Sequence, residues 1–214
     1  MGKIQFDVWK PVMTLHHLAS LNGLVSAQLQ APFDERTIAY LIAPKLGDAD
    51  DENCSEDSIY IPVDEYADWY CTHLSVFHRY SILVMTVGIV EMALSSMADQ
   101  YLKAKNSNLQ AKHFYGKGIE RAKIIFSKMA SVRLSFQTPA WEEIIKAKNK
   151  RDRFAHGSLW VSEHPREIDL IVKDHSKAGV LIEVLPSEVE SLLRAAKDVI
   201  FNLIDEVNQN NAHP

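Results

Sequence analysis

The sequence predicts a mainly α-helical protein, a bundle of helices with one small β-hairpin near residues 167–185. Two observations support this prediction. Apolar residues recur at the three- and four-residue spacing of amphipathic helices along most of the 214-residue chain. A clear two-residue alternation flanks HSKAG, in EIDLIVKD and GVLIEVL, as in a hairpin. Because 47% of the residues are apolar and no repeat or linker divides the chain, we expect a single domain over residues 1–214.

The first part of the chain predicts two helices followed by an acidic loop. Apolar residues at helical spacing between 11 and 30 predict a first helix, which Pro32 ends, and a short helix is expected over 34–43. GDADDENCSED, residues 47–57, contains six acids in eleven residues and is expected to be a solvated loop. It lacks the ligand order of a calcium-binding EF-hand.

A long helix over 64–105 is expected to pass through the centre of the fold, because its apolar stripe has apolar flanks. Its most apolar stretch, ILVMTVGIVEMAL at 82–94, is too short to span a bilayer and contains Glu91. We therefore expect a core helix and no membrane partner. A carboxylate on an apolar stripe must be neutral or paired. Either Arg151 or Arg153 could hold Glu91, or a structural partner elsewhere could.

Three more helices are expected in the second half. Apolar spacing predicts one over 112–130, and GKG at 116–118 is interpreted as a turn or a weak helix start because it lacks the phosphate-loop pattern. TPAWEE at 138–143 has the cap, proline and acids of a helix start. A final helix begins at Pro186, and the tail NQNNAHP is expected to fray.

The cysteine content predicts a protein of the reducing cytoplasm. The chain has only Cys54 and Cys71, which form neither a disulfide framework nor a CxxC zinc motif. The N-terminal sequence has no apolar segment typical of a signal peptide. The histidines also lack metal-ligand spacing, so we expect neither a metal ion nor another cofactor.

Charge is unevenly distributed along the chain, although the net charge is only −5. Between Lys103 and Arg153 there are 13 Lys and Arg against 4 Asp and Glu, a local net of +9, and the rest of the chain carries −14. A segregated positive field can attract an anionic partner such as RNA or a nucleotide. The alternative is that this asymmetry is only that of solvated helix faces.

Residues 149–160, NKRDRFAHGSLW, gather the groups most suited to chemistry on a phosphate. Arg151 and Arg153 carry planar guanidinium groups that match phosphate, and His156 can exchange protons near neutral pH. Asp152 lies four residues before His156, on the same helical face, and could orient it. Arg151 lies roughly 140° around an ideal helix from His156. A bend or a second copy of the chain would therefore be needed to bring these two side chains together.

The string RDRFAHG at 151–157 resembles the R-x4-6-H motif of HEPN domains, with Asp152 as the polar residue after the arginine. The resemblance implies an all-α bundle that dimerises across the motif, with Arg151 and His156 as the catalytic pair. Many HEPN domains are metal-independent ribonucleases of toxin–antitoxin or phage-defence systems. The sequence departs from one toxin branch, which has a tyrosine where Ser158 stands, and the hairpin is an addition to a minimal bundle.

The residues of the motif are chemically suited to such a reaction. RNA cleavage without a metal needs a base, an acid and a cation, and histidine and arginine supply these roles. Two histidines at a dimer interface would supply both base and acid. Arg153, Lys150 and Lys148 are expected to contact phosphate. The alternatives are a non-catalytic HEPN-like module that binds a nucleotide or a protein, and a solvated helix end without function.

Overall fold

The computed structural model describes residues 3–30, 63–155, 160–161, 180–181 and 184–212. Within these ranges the protein is mainly helical, as the sequence predicts. The α-helices are α1 (Trp9–Gln30), α2 (Val63–Ala104), α3 (Gly118–Met129), α4 (Pro139–Ala155) and α5 (Pro186–Ala212). Short 3-10 turns at Ala111–His113 and Ser135–Gln137 precede α3 and α4.

The central element is α2, which packs against all four of the other helices. Its side chains Tyr80, Val87, Leu94 and Tyr101 are almost completely buried. This confirms the expected position of the long apolar stripe in the core. By length and composition α2 could also cross a membrane, but a buried core helix of a globular protein meets the same criteria.

The start of α4 follows from its sequence. The Thr138 hydroxyl accepts a hydrogen bond from the backbone N–H of Trp141 at 3.2 Å, which caps the helix before Pro139 at its first position. The Trp141 ring then packs edge-on against Phe136, with 4.6 Å between ring centroids. These contacts fix the direction of α4, which packs along α2 and α5 and carries the motif at its other end.

The buried carboxylate of Glu206 ties α5 to the loop that leads into α4. It accepts hydrogen bonds from the backbone N–H groups of Arg133, Leu134 and Ser135 and from the Ser135 hydroxyl, at 2.6 to 2.9 Å. Burial alone would raise the pKa of Glu206, but these donors outweigh it and hold the pKa below its ordinary value. The contact fixes α5 relative to the start of α4.

Helix α5 continues through NQNNA to Ala212, which is further than the sequence predicts. Tertiary hydrogen bonds account for the added turns. The Asn208 side chain accepts the backbone N–H of Ile4 at 2.8 Å, and the Asn210 amide donates to the carbonyl of Ala130 at 3.0 Å. The N-terminal segment is also held on α2, where Gln100 accepts the N–H of Asp7 at 2.7 Å.

Two short strands pair antiparallel, β1 (Trp160–Val161) and β2 (Val180–Leu181), with Trp160 opposite Leu181. β2 lies in the second half of the predicted hairpin at 167–185, whereas β1 precedes that hairpin. The turn of the predicted hairpin, the helix at 34–43 and the acidic loop at 47–57 lie outside the described residues.

Candidate functional site

Arg151 lies in the last turns of α4 and is joined to Glu91 at the centre of α2. Its two terminal nitrogens donate to the two carboxylate oxygens of Glu91, at 2.7 Å and 3.2 Å. Both side chains are mostly shielded from solvent, with exposed fractions of 19% and 26%. A two-point contact of this kind fixes the plane of the guanidinium as well as its position. Of the possible partners for Glu91, the structure selects an arginine of the motif.

Asp152 holds the same guanidinium from a second side. One of its oxygens accepts from Nε and Nη2 of Arg151, at 3.0 Å and 2.8 Å. Its other oxygen accepts from the ammonium of Lys148 at 2.9 Å, and Lys148 also lies 3.6 Å from the carboxylate of Glu120. Among the described residues Asp152 binds two cations. Its expected contact with His156, which lies outside the described residues, stays a prediction.

This charge network shifts the proton affinities of its members. Hydrogen bonding to Glu91 is the main cause that raises the pKa of Arg151, and hydrogen bonding to Asp152 is the main cause that raises the pKa of Lys148. Burial alone would raise the pKa of Asp152, but the bonds from Lys148 and Arg151 hold it below its ordinary value. Arg151, Lys148 and Asp152 are therefore all charged at neutral pH.

Glu91 is enclosed on its other side by the first residue of α3. Gly118 has a φ of +48°, and a β-carbon there would lie 2.6 Å from a carboxylate oxygen of Glu91. The positive φ favours glycine here, and a larger residue would also displace the carboxylate end of Glu91. The GKG sequence is a turn that leads into a helix, as expected. Its contact with Glu91 was not predicted.

These groups line an open cleft of about 740 Å³ between α2, α3 and α4. Its wall is rich in charge, with more cations than anions. The residues that line it are Glu91, Phe114, Tyr115, Gly116, Lys117, Glu120, Arg121, Lys148, Arg151 and Asp152. Glu91 and Asp152 are engaged with Arg151, and the more exposed carboxylate of Glu120 lies 3.6 Å from the ammonium of Lys148. Lys117 and Arg121 are therefore the groups of this wall best placed to meet an anionic ligand.

The basic residues of the motif do not all face this cleft. Lys150 and Arg153 line a second cavity of about 520 Å³ between α4 and α5. Lys150 forms an ion pair with Glu188 there, at 2.6 Å. Lys148 and Lys150 are two residues apart on a helix, so their side chains point in nearly opposite directions. The basic residues of α4 therefore lie on two sides of the helix and do not form a single face.

His156 lies immediately after α4 and outside the described residues. The structure therefore brings together Arg151, Asp152 and Lys148, and places Lys150 and Arg153 on the far side of the helix. Sequence reasoning missed Tyr115, Gly118 and Arg121 as residues of the cleft. The paired glycines around Lys117 were the available signal. In the described part of the chain, no group of three His, Cys, Asp or Glu could hold a metal ion.

Comparison of the chain with protein-family models, with curated protein sequences and with solved structures finds no match. The functional conclusion therefore depends on the residues and geometry of the cleft.

Proposed function

We propose that this protein is a metal-independent endoribonuclease of HEPN type that acts at a site on a homodimer interface. The observation that carries this proposal is the position of Arg151. Its guanidinium is held by Glu91 and Asp152 in the wall of an open cleft that also contains Lys117 and Arg121. A cation that is fixed before substrate arrives stabilises developing negative charge without reorganising during the reaction.

The proposed reaction is a transesterification within the RNA. His156 removes the proton of a ribose 2′-hydroxyl, and the 2′-oxygen attacks the adjacent phosphorus. The bond from phosphorus to the 5′-oxygen breaks, and a protonated histidine delivers a proton to that oxygen. The products are a 2′,3′-cyclic phosphate and a free 5′-hydroxyl. Arg151 stabilises the additional negative charge on the phosphorane in between.

The hydrogen bonds of Arg151 leave one of its N–H groups available to stabilise the phosphorane. A guanidinium has five N–H groups, and Glu91 and Asp152 together accept four hydrogen bonds from it. One N–H on Nη1 is left for a phosphate oxygen. Arg151 would thus act through one directed hydrogen bond and its charge, while Asp152 supports it and Lys148 contributes charge from the same wall.

The remaining cations of the motif would serve RNA binding. Lys150 and Arg153 lie on the α5 side of α4, where they can contact phosphates away from the reacting bond. We propose that RNA crosses the end of α4, with a second copy of the chain completing the site. A cytoplasmic toxin–antitoxin or defence setting, with a partner protein that restrains the enzyme, is consistent with such an activity.

The test is a cleavage assay on structured and unstructured RNA with EDTA present. His156→Ala should lower the rate on the order of 100-fold or more, which is the usual effect of removing a general acid–base group. His17→Ala is the matched control, because His17 is exposed on α1, far along the chain from the motif. A 2′,3′-cyclic phosphate on the product supports the mechanism. Equal rates for His156→Ala and the wild type would reject it.

One observation favours a second candidate, a non-catalytic HEPN-like module that binds a nucleotide or a protein. Most of the hydrogen-bonding capacity of Arg151 is used within the protein, which is typical of a structural ion pair. This candidate predicts RNA or nucleotide binding without cleavage, and binding that is unaffected by His156→Ala.

A further inference from the structure

We propose that Tyr115 stacks on a base of single-stranded RNA at the rim of the cleft, and that Lys117 and Arg121 hold the adjoining phosphates. This inference rests on the proposed function, because it names how the same cleft binds its substrate. It assigns substrate binding to the turn at 114–118, whose side chains lie outside the R-x4-6-H motif.

Tyr115 presents its ring to solvent to an unusual degree. The residue is 89% exposed, the highest value among the large apolar and aromatic residues of the described chain. Its neighbour Phe114 packs against the core, so the backbone at this point is anchored while the tyrosine points outward. Every nucleobase offers a flat face to an exposed ring, and such stacking requires no particular sequence.

The turn that carries Tyr115 is fixed by its own contacts. Gly116 has a φ of +91°, a conformation that glycine adopts readily, and the Arg121 Nε donates to its carbonyl at 2.9 Å. The backbone on both sides of Tyr115 is thus anchored, by Phe114 against the core and by the Arg121 bond to Gly116, which keeps the ring at the rim of the cleft. Gly118, two residues later, lies beside the Glu91 carboxylate that holds Arg151.

The charges beside Tyr115 suit a nucleic acid backbone. Lys117 and Arg121 line the cleft with it, and neither forms an ion pair within the described residues. The Nε bond to Gly116 leaves the two terminal nitrogens of Arg121 to face a phosphate. Alternating aromatic and cationic groups along a groove are the usual composition of a single-stranded nucleic acid site.

The test measures binding separately from cleavage. A fluorescent 12-nucleotide 2′-fluoro RNA lacks the attacking hydroxyl, so it reports affinity in the wild-type protein by anisotropy. Tyr115→Ala should weaken binding about tenfold, whereas Tyr115→Phe should retain it within about twofold. Lys117→Ala should weaken binding and reduce its salt dependence by about one unit of logarithmic slope. Trp9 on α1 is also an exposed aromatic residue and does not line the cleft, so Trp9→Ala is the matched control.

An oligonucleotide with abasic positions isolates the stacking contribution. Tyr115→Ala should bind this probe as well as the wild type does, because the probe has no base on which the tyrosine ring could stack. An equal loss on both probes, no loss on either, or no binding of the 2′-fluoro RNA by the wild type would overturn the inference. These results are distinct from failure of the ribonuclease proposal, which is judged by cleavage in wild type and His156→Ala. If the wild type binds RNA but does not cleave it, the ribonuclease proposal is rejected and the proposed stacking site at Tyr115 is not.

Discussion

Glu91 and Arg151 lie 60 residues apart in the chain and meet as a two-point ion pair that joins the central helix to the motif helix. The pair places a permanent cation beside an open cleft and neutralises a carboxylate that would otherwise be unfavourable on an apolar helix. Asp152 then holds the guanidinium from its other edge. One contact therefore serves both the packing of α2 against α4 and the geometry of the candidate site.

Replacing Glu91 with glutamine should separate these two effects. The neutral amide keeps the shape but can no longer accept two charge-assisted bonds, so we expect a loss of about 1 to 2 kcal/mol in the free energy of unfolding, given the partial exposure of the pair. RNA cleavage should fall about tenfold because the guanidinium loses an anchor. Urea unfolding and the cleavage assay measure the two quantities. The control is Glu190→Gln, at an exposed carboxylate of α5. A Glu91→Gln protein as stable as wild type would show that the Glu91–Arg151 ion pair does not stabilise the fold.

The two glycines at 88 and 118 should respond to alanine in opposite directions. At Gly118 the left-handed backbone disfavours a β-carbon, and the carboxylate end of Glu91 would have to move from its bonds to Arg151 to admit one. Gly118→Ala should therefore destabilise the protein by about 2 kcal/mol. At Gly88, in the middle of α2, an added β-carbon meets nothing within 4 Å. Gly88→Ala should therefore stabilise the protein by about 0.5 to 1 kcal/mol. Thermal melting of both variants checks this, and a neutral Gly118→Ala contradicts the close contact.

The sequence predicts the helices well because their signals are local. The apolar stripe of α2 and the cap at Thr138 are each visible within a few residues of the chain. The pairing of Glu91 with Arg151 could be named only as one option among others, since it depends on how two distant helices cross. The division of Lys148 and Lys150 between two cavities shows the same limit. Total charge is readable from sequence, whereas the direction of each charge depends on the orientation of α4 in the fold.

Glu206 should make the stability of the protein depend on pH in the acidic range. Its pKa is lower in the folded protein than in the unfolded chain, so its contribution is present above the ordinary glutamate value of about 4.3 and is lost as pH falls through the folded pKa. Glu206→Gln leaves some of the four donors without an acceptor and should cost about 3 kcal/mol at pH 7.

The difference between Glu206→Gln and wild type should become smaller as pH falls from about 4.3 through the lower pKa of the folded protein, because the Glu206 carboxyl group is protonated in the unfolded chain before it is protonated in the folded protein. Urea unfolding between pH 3 and pH 7 measures this trend. Asp205→Asn, at an exposed neighbouring position on α5, should show little effect at any pH. A constant difference across the pH range would mean that the charge of Glu206 is not what stabilises the contact.

The final prediction concerns assembly and follows from the direction of Arg151. Arg151 points into the cleft toward α2, and His156 lies five residues further along, roughly 140° away on an ideal helix. We expect a homodimer packed through the helices flanking 140–160, in which Arg151 of one copy acts with His156 of the other. Light scattering should give about twice the protomer mass of 24.2 kDa at micromolar concentration.

Mixing inactive Arg151→Ala and His156→Ala proteins under conditions of subunit exchange should then restore cleavage. Each mixed dimer keeps one intact Arg151–His156 pair out of two, and its single histidine then acts as the base and, once protonated, as the acid. Random exchange makes about half of the dimers mixed, so about a quarter of wild-type activity is expected. Co-purification of untagged His156→Ala protein with tagged Arg151→Ala protein shows whether the subunits have exchanged. Mixtures of Arg151→Ala and His156→Ala that stay inactive although the two proteins co-purify would exclude a pair shared between copies, and a monomer at micromolar concentration would exclude the dimer.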